Sequence, residues 1–131
     1  MAIDRALVGR TSGPVCWEVE AGAIRRFSAA IGDQEPRHLA GEVAPPTFPT
    51  TLRLDVPGAR LDKSRILHAG EEYRYRRPIR AGDVLWVERR VEDVYEKQGS
   101  LGRMTFIVLA QAGRDESGEV VFESRTTLIY R

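Results

Sequence analysis

The chain has 131 residues, 42% of which are hydrophobic, and its formal net charge is +1. A chain of this length suits about one domain with a single core, and we expect residues 1–131 to form one. A net charge so close to zero gives no bulk electrostatic attraction to nucleic acid. No run of about 18 apolar residues is present, and the N-terminal segment does not resemble a signal peptide. We therefore expect no membrane association and a cytoplasmic protein.

The first half of the chain predicts a short strand, a helix and a turn. Residues 16–19 suit a strand, and their Cys16 is the only cysteine of the chain, with no histidine near it in sequence. We expect Cys16 to be buried and unreactive. Residues 20–32 place apolar side chains at helical spacing and end on a glycine. Pro36 disfavours helical backbone at the residue before it, so a turn follows the helix.

A second, shorter helix is expected after the prolines at positions 45 and 46. It begins at Pro46 or Thr47 and runs to about Leu54, and Pro49 is tolerable there only if it lies in the first turn.

The second half of the chain predicts strands. They cover residues 65–78, 84–97, 103–112 and 120–131. The second of these strands places Leu85, Val87, Val91 and Tyr95 on one face, whereas the third is apolar on both faces and is expected to be central. A helix followed by long antiparallel strands indicates an α+β domain in which a sheet wraps a helix. Uncovered edge strands favour a dimer.

Asp33 and His38 lie five positions apart, with Pro36 between them. Histidine takes and returns protons near neutral pH, and a nearby carboxylate can fix its orientation or share a water molecule with it. A turn held by a proline can direct both side chains into one cleft. The spacing alone, however, favours a simpler interpretation, in which Asp33 caps the turn and His38 is a surface residue.

The segment FSAAIGDQEPRH, residues 27–38, resembles the hydratase signature of the MaoC-like family, which comprises (R)-specific enoyl-thioester hydratases and 3-hydroxyacyl-thioester dehydratases. The residues in register are Phe27, Gly32, Asp33, Pro36 and His38. The resemblance is to the N-terminal-type MaoC dehydratase domain. It continues through APPTFP, LHAGEEYRYRRPIRAGD and VYEKQGSLGRMTFIV, and so covers nearly the whole chain.

This resemblance implies a hot-dog fold, in which an antiparallel sheet wraps a central helix and two such domains dimerise. It also implies an acyl thioester substrate, carried by coenzyme A or by an acyl-carrier protein, in a tunnel beside that helix. Asp33 and His38 would then activate the water that adds across a trans-2-enoyl double bond, or run the reverse dehydration. This chemistry needs no metal or organic cofactor, and the sequence offers no Cys/His cluster for a metal.

Hydration of a conjugated thioester also requires a hydrogen-bond donor for the enolate oxygen. The resemblance implies that this donor is a backbone N–H at the start of a helix. Pro45 and Pro46 stand where the donor is wanted, and prolines have no N–H. The remaining donors are the N–H groups of Thr47 and Phe48.

Three further residues are candidates for substrate binding. His68 is expected in a wall of the pocket, where a hydrogen-bonded strand residue is a simpler interpretation than a second base. Arg76 and Arg77 belong to an arginine-rich segment that can meet a phosphate of coenzyme A or of a carrier protein. A solvated strand end, paired with the glutamates just before it, explains the same arginines.

Two other interpretations of the whole protein stay open. The segment between His38 and APPTFP is shorter than in the family, where a helical insertion helps to shape the acyl pocket. This favours a non-catalytic subunit that shapes the substrate channel of a heterodimer, whereas the presence of both Asp33 and His38 favours the enzyme. A hot-dog thioesterase fits the motif less well. The protein is expected as a homodimer, or as a heterodimer with a second hot-dog subunit.

Overall fold

A computed structural model describes residues 3–100 and 102–131 of the chain. The strands of the described residues form one antiparallel sheet in the order β1-β3-β4-β5-β2. They are β1 (Val15–Glu18), β2 (Ile66–Tyr75), β3 (Val84–Gly99), β4 (Gly102–Arg114) and β5 (Val120–Tyr130). The α-helices are α1 (Ala21–Ala30) and α2 (Pro36–Leu39). Single 3-10 turns cover Arg5–Leu7, Phe48–Thr51 and Lys63–Arg65.

The predicted α+β organisation is confirmed. Strand β4 lies in the centre of the sheet, as its two apolar faces predicted. The inner face of the sheet packs against α1, whose Ile24 is fully buried in one apolar cluster with Phe48, Leu85 and Phe122. A second apolar cluster, which includes Val91 of β3, fills the other end of the same face. No helix in the described part of the chain is long and apolar enough to cross a membrane.

The helix predicted over residues 46–54 is wrong, because only the single 3-10 turn Phe48–Thr51 forms there. Pro49 lies in the first turn, and a proline has no N–H to donate. The hydroxyl groups of Thr50 and Thr51 donate back to the carbonyl oxygens of Thr47 and Phe48. These local bonds, made by β-branched residues, compete with a regular helix.

The face predicted for the long strand β3 is correct only in its first half. Leu85, Val87 and Val91 point into the core, but the next buried residue is Val94, and Tyr95 is only partly buried. A β-bulge between Val91 and Asp93 inserts one residue and so moves every later side chain to the opposite face.

The expected burial of Cys16 is also wrong, because the structure exposes it. Strand β1 lies at the edge of the sheet and its burial alternates, with Trp17 directed inward and Cys16 outward. Period-two alternation therefore decides the exposure of this cysteine.

Candidate active site

Asp33 and His38 are in direct contact. The Nδ1 of His38 lies 2.7 Å from Oδ2 of Asp33, and the two side chains are only 18% and 16% exposed. The interpretation of His38 as a surface residue therefore does not hold. The interpretation of Asp33 as a turn cap does hold, since its Oδ1 accepts a hydrogen bond from the Glu35 N–H at 2.8 Å.

The local sequence fixes the position of this pair. Helix α1 ends before Gly32, whose φ of +71° lies in the left-handed region that glycine adopts without strain. The chain reverses there, and the Asp33 N–H donates to the Ser28 carbonyl at 2.9 Å. The segment that was predicted as a turn after α1 contains the short helix α2. This helix begins at Pro36, and its single turn carries His38.

The carboxylate of Asp33 is stabilised in its charged form. The backbone hydrogen bond from Glu35, followed by the hydrogen bond with His38, lowers the pKa of Asp33 below its usual value. An ionised carboxylate can only accept hydrogen bonds, so the Nδ1 of His38 must be the donor in this pair. In the neutral imidazole this leaves Nε2 as an acceptor and therefore as a potential base.

His38 lines a cleft of about 390 Å³ with a largely apolar wall. The apolar side chains are those of Val43, Ala44, Pro46, Pro78 and Ile79. Tyr75 lines the same cleft, and its hydroxyl donates to the carbonyl of Pro46. An apolar wall beside one titratable pair is the arrangement expected of a small-molecule site.

Arg76 and Arg77 lie at this cleft as well. Arg76 is exposed and reaches Glu123 at 3.8 Å. Arg77 is more firmly held, because its guanidinium donates to both carboxylate oxygens of Asp83, the nearer at 2.8 Å. The ion pairs are therefore not those expected with Glu71 and Glu72, and Arg76 is the more adaptable cation of the two.

The two candidate oxyanion donors differ. The Phe48 N–H already donates to the Pro45 carbonyl at 2.9 Å, inside the tight turn. Within residues 3–100 and 102–131, the Thr47 N–H donates to no acceptor. Thr47 is consequently the better candidate for the oxyanion donor.

His68 lies elsewhere. Its Nε2 is 3.1 Å from Oε2 of Glu71, and both side chains line a separate cavity of about 300 Å³ on the inner face of the sheet. Sequence reasoning missed the polar residues of this second cavity, which include Arg89 of β3 and Gln111 of β4. The signal was available, because Arg89 occupies the inward position between Val87 and Val91.

Comparisons with known proteins agree with this architecture. A family model described as "FAS1-like, dehydratase domain region" matches residues 6–124. A UPF0336 protein of Streptomyces griseus is 33% identical over 149 aligned positions, which cover 100% of this chain and 97% of that protein. The alignment is longer than the 131-residue chain, so the relative carries segments that this chain lacks.

Solved structures show the same fold. The HadBC (3R-hydroxyacyl-ACP dehydratase) complex from Mycobacterium tuberculosis has a TM-score of 0.76 at 23% identity, covering 97% of this chain and 99% of that one. The R-hydratase PhaJ1 from Pseudomonas aeruginosa has a TM-score of 0.69 at 19% identity, covering 94% and 81%. Together with the family model, these likenesses support a dehydratase-type function. The chain thus belongs to the UPF0336 family, and it is a MaoC-like protein with the hot-dog fold and a FAS1-like dehydratase domain.

Proposed function

We propose that this protein interconverts trans-2-enoyl and 3-hydroxyacyl thioesters, with Asp33 and His38 activating one water molecule. The observation that carries the proposal is the 2.7 Å contact of Asp33 with His38, which lines the apolar cleft. A carboxylate–imidazole pair beside an apolar surface provides both a proton acceptor and a binding region for an acyl chain.

In the hydration direction, the Nε2 of His38 takes a proton from the water while the water oxygen bonds to the β-carbon of the enoyl group. The electron pair of the double bond moves toward the thioester carbonyl and forms an enolate. The protonated imidazole of His38 then gives the proton to the α-carbon, so that one water is added in total and His38 returns to its neutral form. Asp33 holds the imidazole in the tautomer that this step needs and stabilises its positive charge once it is protonated.

The enolate oxygen needs a preorganised donor during this step. The Thr47 N–H, which donates to no acceptor in the part of the chain that the structure describes, suits this role. Thr47 directly follows Pro46, which lines the same cleft as His38. The exposed guanidinium of Arg76 suits a phosphate of coenzyme A or of a carrier protein at the mouth of the cleft.

The decisive experiment uses the purified protein and crotonyl-CoA. Hydration removes the absorbance of the conjugated thioester without releasing a thiol. We expect the wild type to remove this absorbance and the His38→Ala variant to leave it unchanged. Release of free thiol with the double bond intact would instead indicate a thioesterase and would overturn the proposal.

A second candidate function is that of a channel-shaping subunit in a heterodimer. It is favoured by the likeness to the HadBC complex and by the short segment between His38 and Pro45. The edge strand β2, which exposes Leu67, offers a surface for a second hot-dog subunit. Activity that appears only after a second subunit is added, and that survives His38→Ala, would favour this candidate over the enzyme.

A further inference from the structure

A row of polar side chains crosses the inner face of the sheet between the two apolar clusters. Arg89 of β3 lies opposite Gln111 of β4, Gln111 lies opposite Ser124 of β5, and Ser124 lies opposite Tyr73 of β2. Thr126, one inward position further along β5, joins the row. Gln111, Ser124 and Thr126 are 7%, 9% and 6% exposed, so the row lies at core depth.

Most of this row is hydrogen-bonded internally. The Arg89 Nε donates to Gln111 at 2.8 Å, and the Gln111 amide donates to Ser124 at 2.7 Å and to Thr126 at 3.1 Å. A second guanidinium nitrogen of Arg89 donates to the Leu54 carbonyl. Such a network costs little when every member is paired, and each unpaired buried member costs free energy.

Two donor groups of the row, the Tyr73 hydroxyl and the guanidinium of Arg89, keep unused hydrogen-bonding capacity within the described residues. The Tyr73 hydroxyl is buried and forms no hydrogen bond of normal geometry within the described residues, although burial and the nearby Glu71 carboxylate raise the pKa of Tyr73. No carboxylate of the described residues lies within ion-pair distance of the largely buried Arg89 guanidinium, although Glu71 and Asp55 act on it at longer range. Both side chains line the cavity of about 300 Å³ that also holds His68. The cavity therefore presents the Tyr73 hydroxyl and one remaining guanidinium nitrogen of Arg89 as donors, with the Glu71 carboxylate lining the same cavity.

This cavity adjoins the cleft of His38. Tyr75 lines that cleft, Tyr73 lines the polar cavity, and their rings stack with centroids 6.3 Å apart. Two positions along a strand correspond to about 6.6 Å, which is within the reach of a short acyl chain. An acyl chain that extended from the cleft past Tyr75 along β2 would reach the polar row.

We propose that the polar cavity is a subsite for an acyl group that carries a hydrogen-bond-accepting oxygen, a carbonyl or a carboxylate, beyond the reacting double bond. The proposal rests on the proposed function of the Asp33–His38 site. The acceptor oxygen bonds the Tyr73 hydroxyl and the guanidinium of Arg89. Glu71 lines the same cavity and opposes a carboxylate there, so the neutral carbonyl is the acceptor that it opposes less. A plain alkyl chain would leave the donors unpaired and is disfavoured.

The test compares octenoyl-CoA with two octenoyl-CoA analogues, one bearing a terminal methyl ketone and one a terminal carboxylate. We expect kcat/KM to be at least about fivefold higher for one or both oxygenated thioesters. Tyr73→Phe keeps the ring stacked on Tyr75 and removes only the hydroxyl, and it should erase most of that preference. Tyr95→Phe, on a ring that lies outside the cavity, serves as the matched control and should leave the preference unchanged.

A preference for the alkyl thioester, or a preference that Tyr73→Phe does not alter, would overturn the subsite. If no thioester is hydrated at all, the proposed function fails, and the subsite is then decided by calorimetric binding of the same three thioesters to the wild type. Tighter binding of an oxygenated thioester supports it, and equal or weaker binding overturns it.

Discussion

The imidazole of His38 and the carboxylate of Asp33 meet at 2.7 Å although they belong to different local elements, the turn after α1 and the single turn of α2. The carboxylate also accepts the N–H of Glu35. Asp33 is therefore oriented by the backbone, and His38 is oriented by Asp33.

Substitutions of this pair should separate catalysis from folding. His38→Ala removes the base and Asp33→Asn removes the acceptor that fixes its tautomer, so each should lower kcat by about a hundredfold or more. Turnover of crotonyl-CoA and thermal unfolding are measured on the same preparations. Asp62→Asn is the matched control, because Asp62 likewise accepts a nearby backbone N–H but lies outside the cleft. Unchanged turnover in both site variants would remove the pair from the mechanism.

The lowered pKa of Asp33 predicts a pH-dependent contribution to stability. A carboxyl group whose pKa is lower in the folded state stabilises the protein above its unfolded pKa, about 3.9 for aspartate. That contribution is lost as the pH falls through the folded value. The difference in unfolding free energy between the wild type and Asp33→Asn should shrink as the pH falls below about 4.

Urea unfolding at a series of pH values measures this difference directly. The pKa values of Asp62 and Asp115 are also lowered, by bonds to Ser64 and Ser117, but both residues are present in the two proteins and cancel. A difference that grows as the pH falls below about 4 would contradict the assignment.

Gly32 allows a test of how the turn positions the pair. Its φ of +71° disfavours any side chain, so Gly32→Ala should cost about 1–2 kcal/mol of stability and should lower kcat by displacing Asp33. Gly22 lies inside α1 with ordinary helical backbone, so Gly22→Ala should stabilise by up to about 1 kcal/mol. Equal effects of the two substitutions in urea unfolding would contradict this explanation.

The sequence predicted those features that depend on local chemistry. The apolar spacing of residues 20–32 predicted α1, and the Asp–Pro–His spacing, with the family resemblance, predicted that Asp33 and His38 lie close together. The shift of the inward face from Tyr95 to Val94 was not predictable, because a single-residue bulge in β3 leaves no mark in an alternating pattern.

The placement of His68 was not predictable for a different reason. Its distance from His38 depends on how β2 is registered against β5, and no local signal specifies that register. The polar row depends on the same registers, since it joins residues of four strands. The one sequence signal for this polar row was Arg89, a charged residue at an inward position of β3.

Gly113 links the packing of the sheet to the cleft. It lies opposite Phe122, and a Cβ at this position would approach the Phe122 ring closely enough to force it to move. Phe122 packs on the ring of Tyr75, which lines the cleft. Gly113→Ala should thus destabilise the protein by about 1–3 kcal/mol, the usual cost of overpacking a core, and should also reduce kcat/KM by moving Tyr75.

Urea unfolding and crotonyl-CoA turnover check both effects of Gly113→Ala. Gly70→Ala is the matched control, because Gly70 is also a strand glycine but its Cβ would meet nothing within 4 Å. Its stability should stay the same or rise by up to about 1 kcal/mol, since alanine restricts the unfolded chain. If Gly113→Ala proved as stable as Gly70→Ala, the Phe122 ring would move without cost. That result would contradict the explanation that Phe122 supports Tyr75.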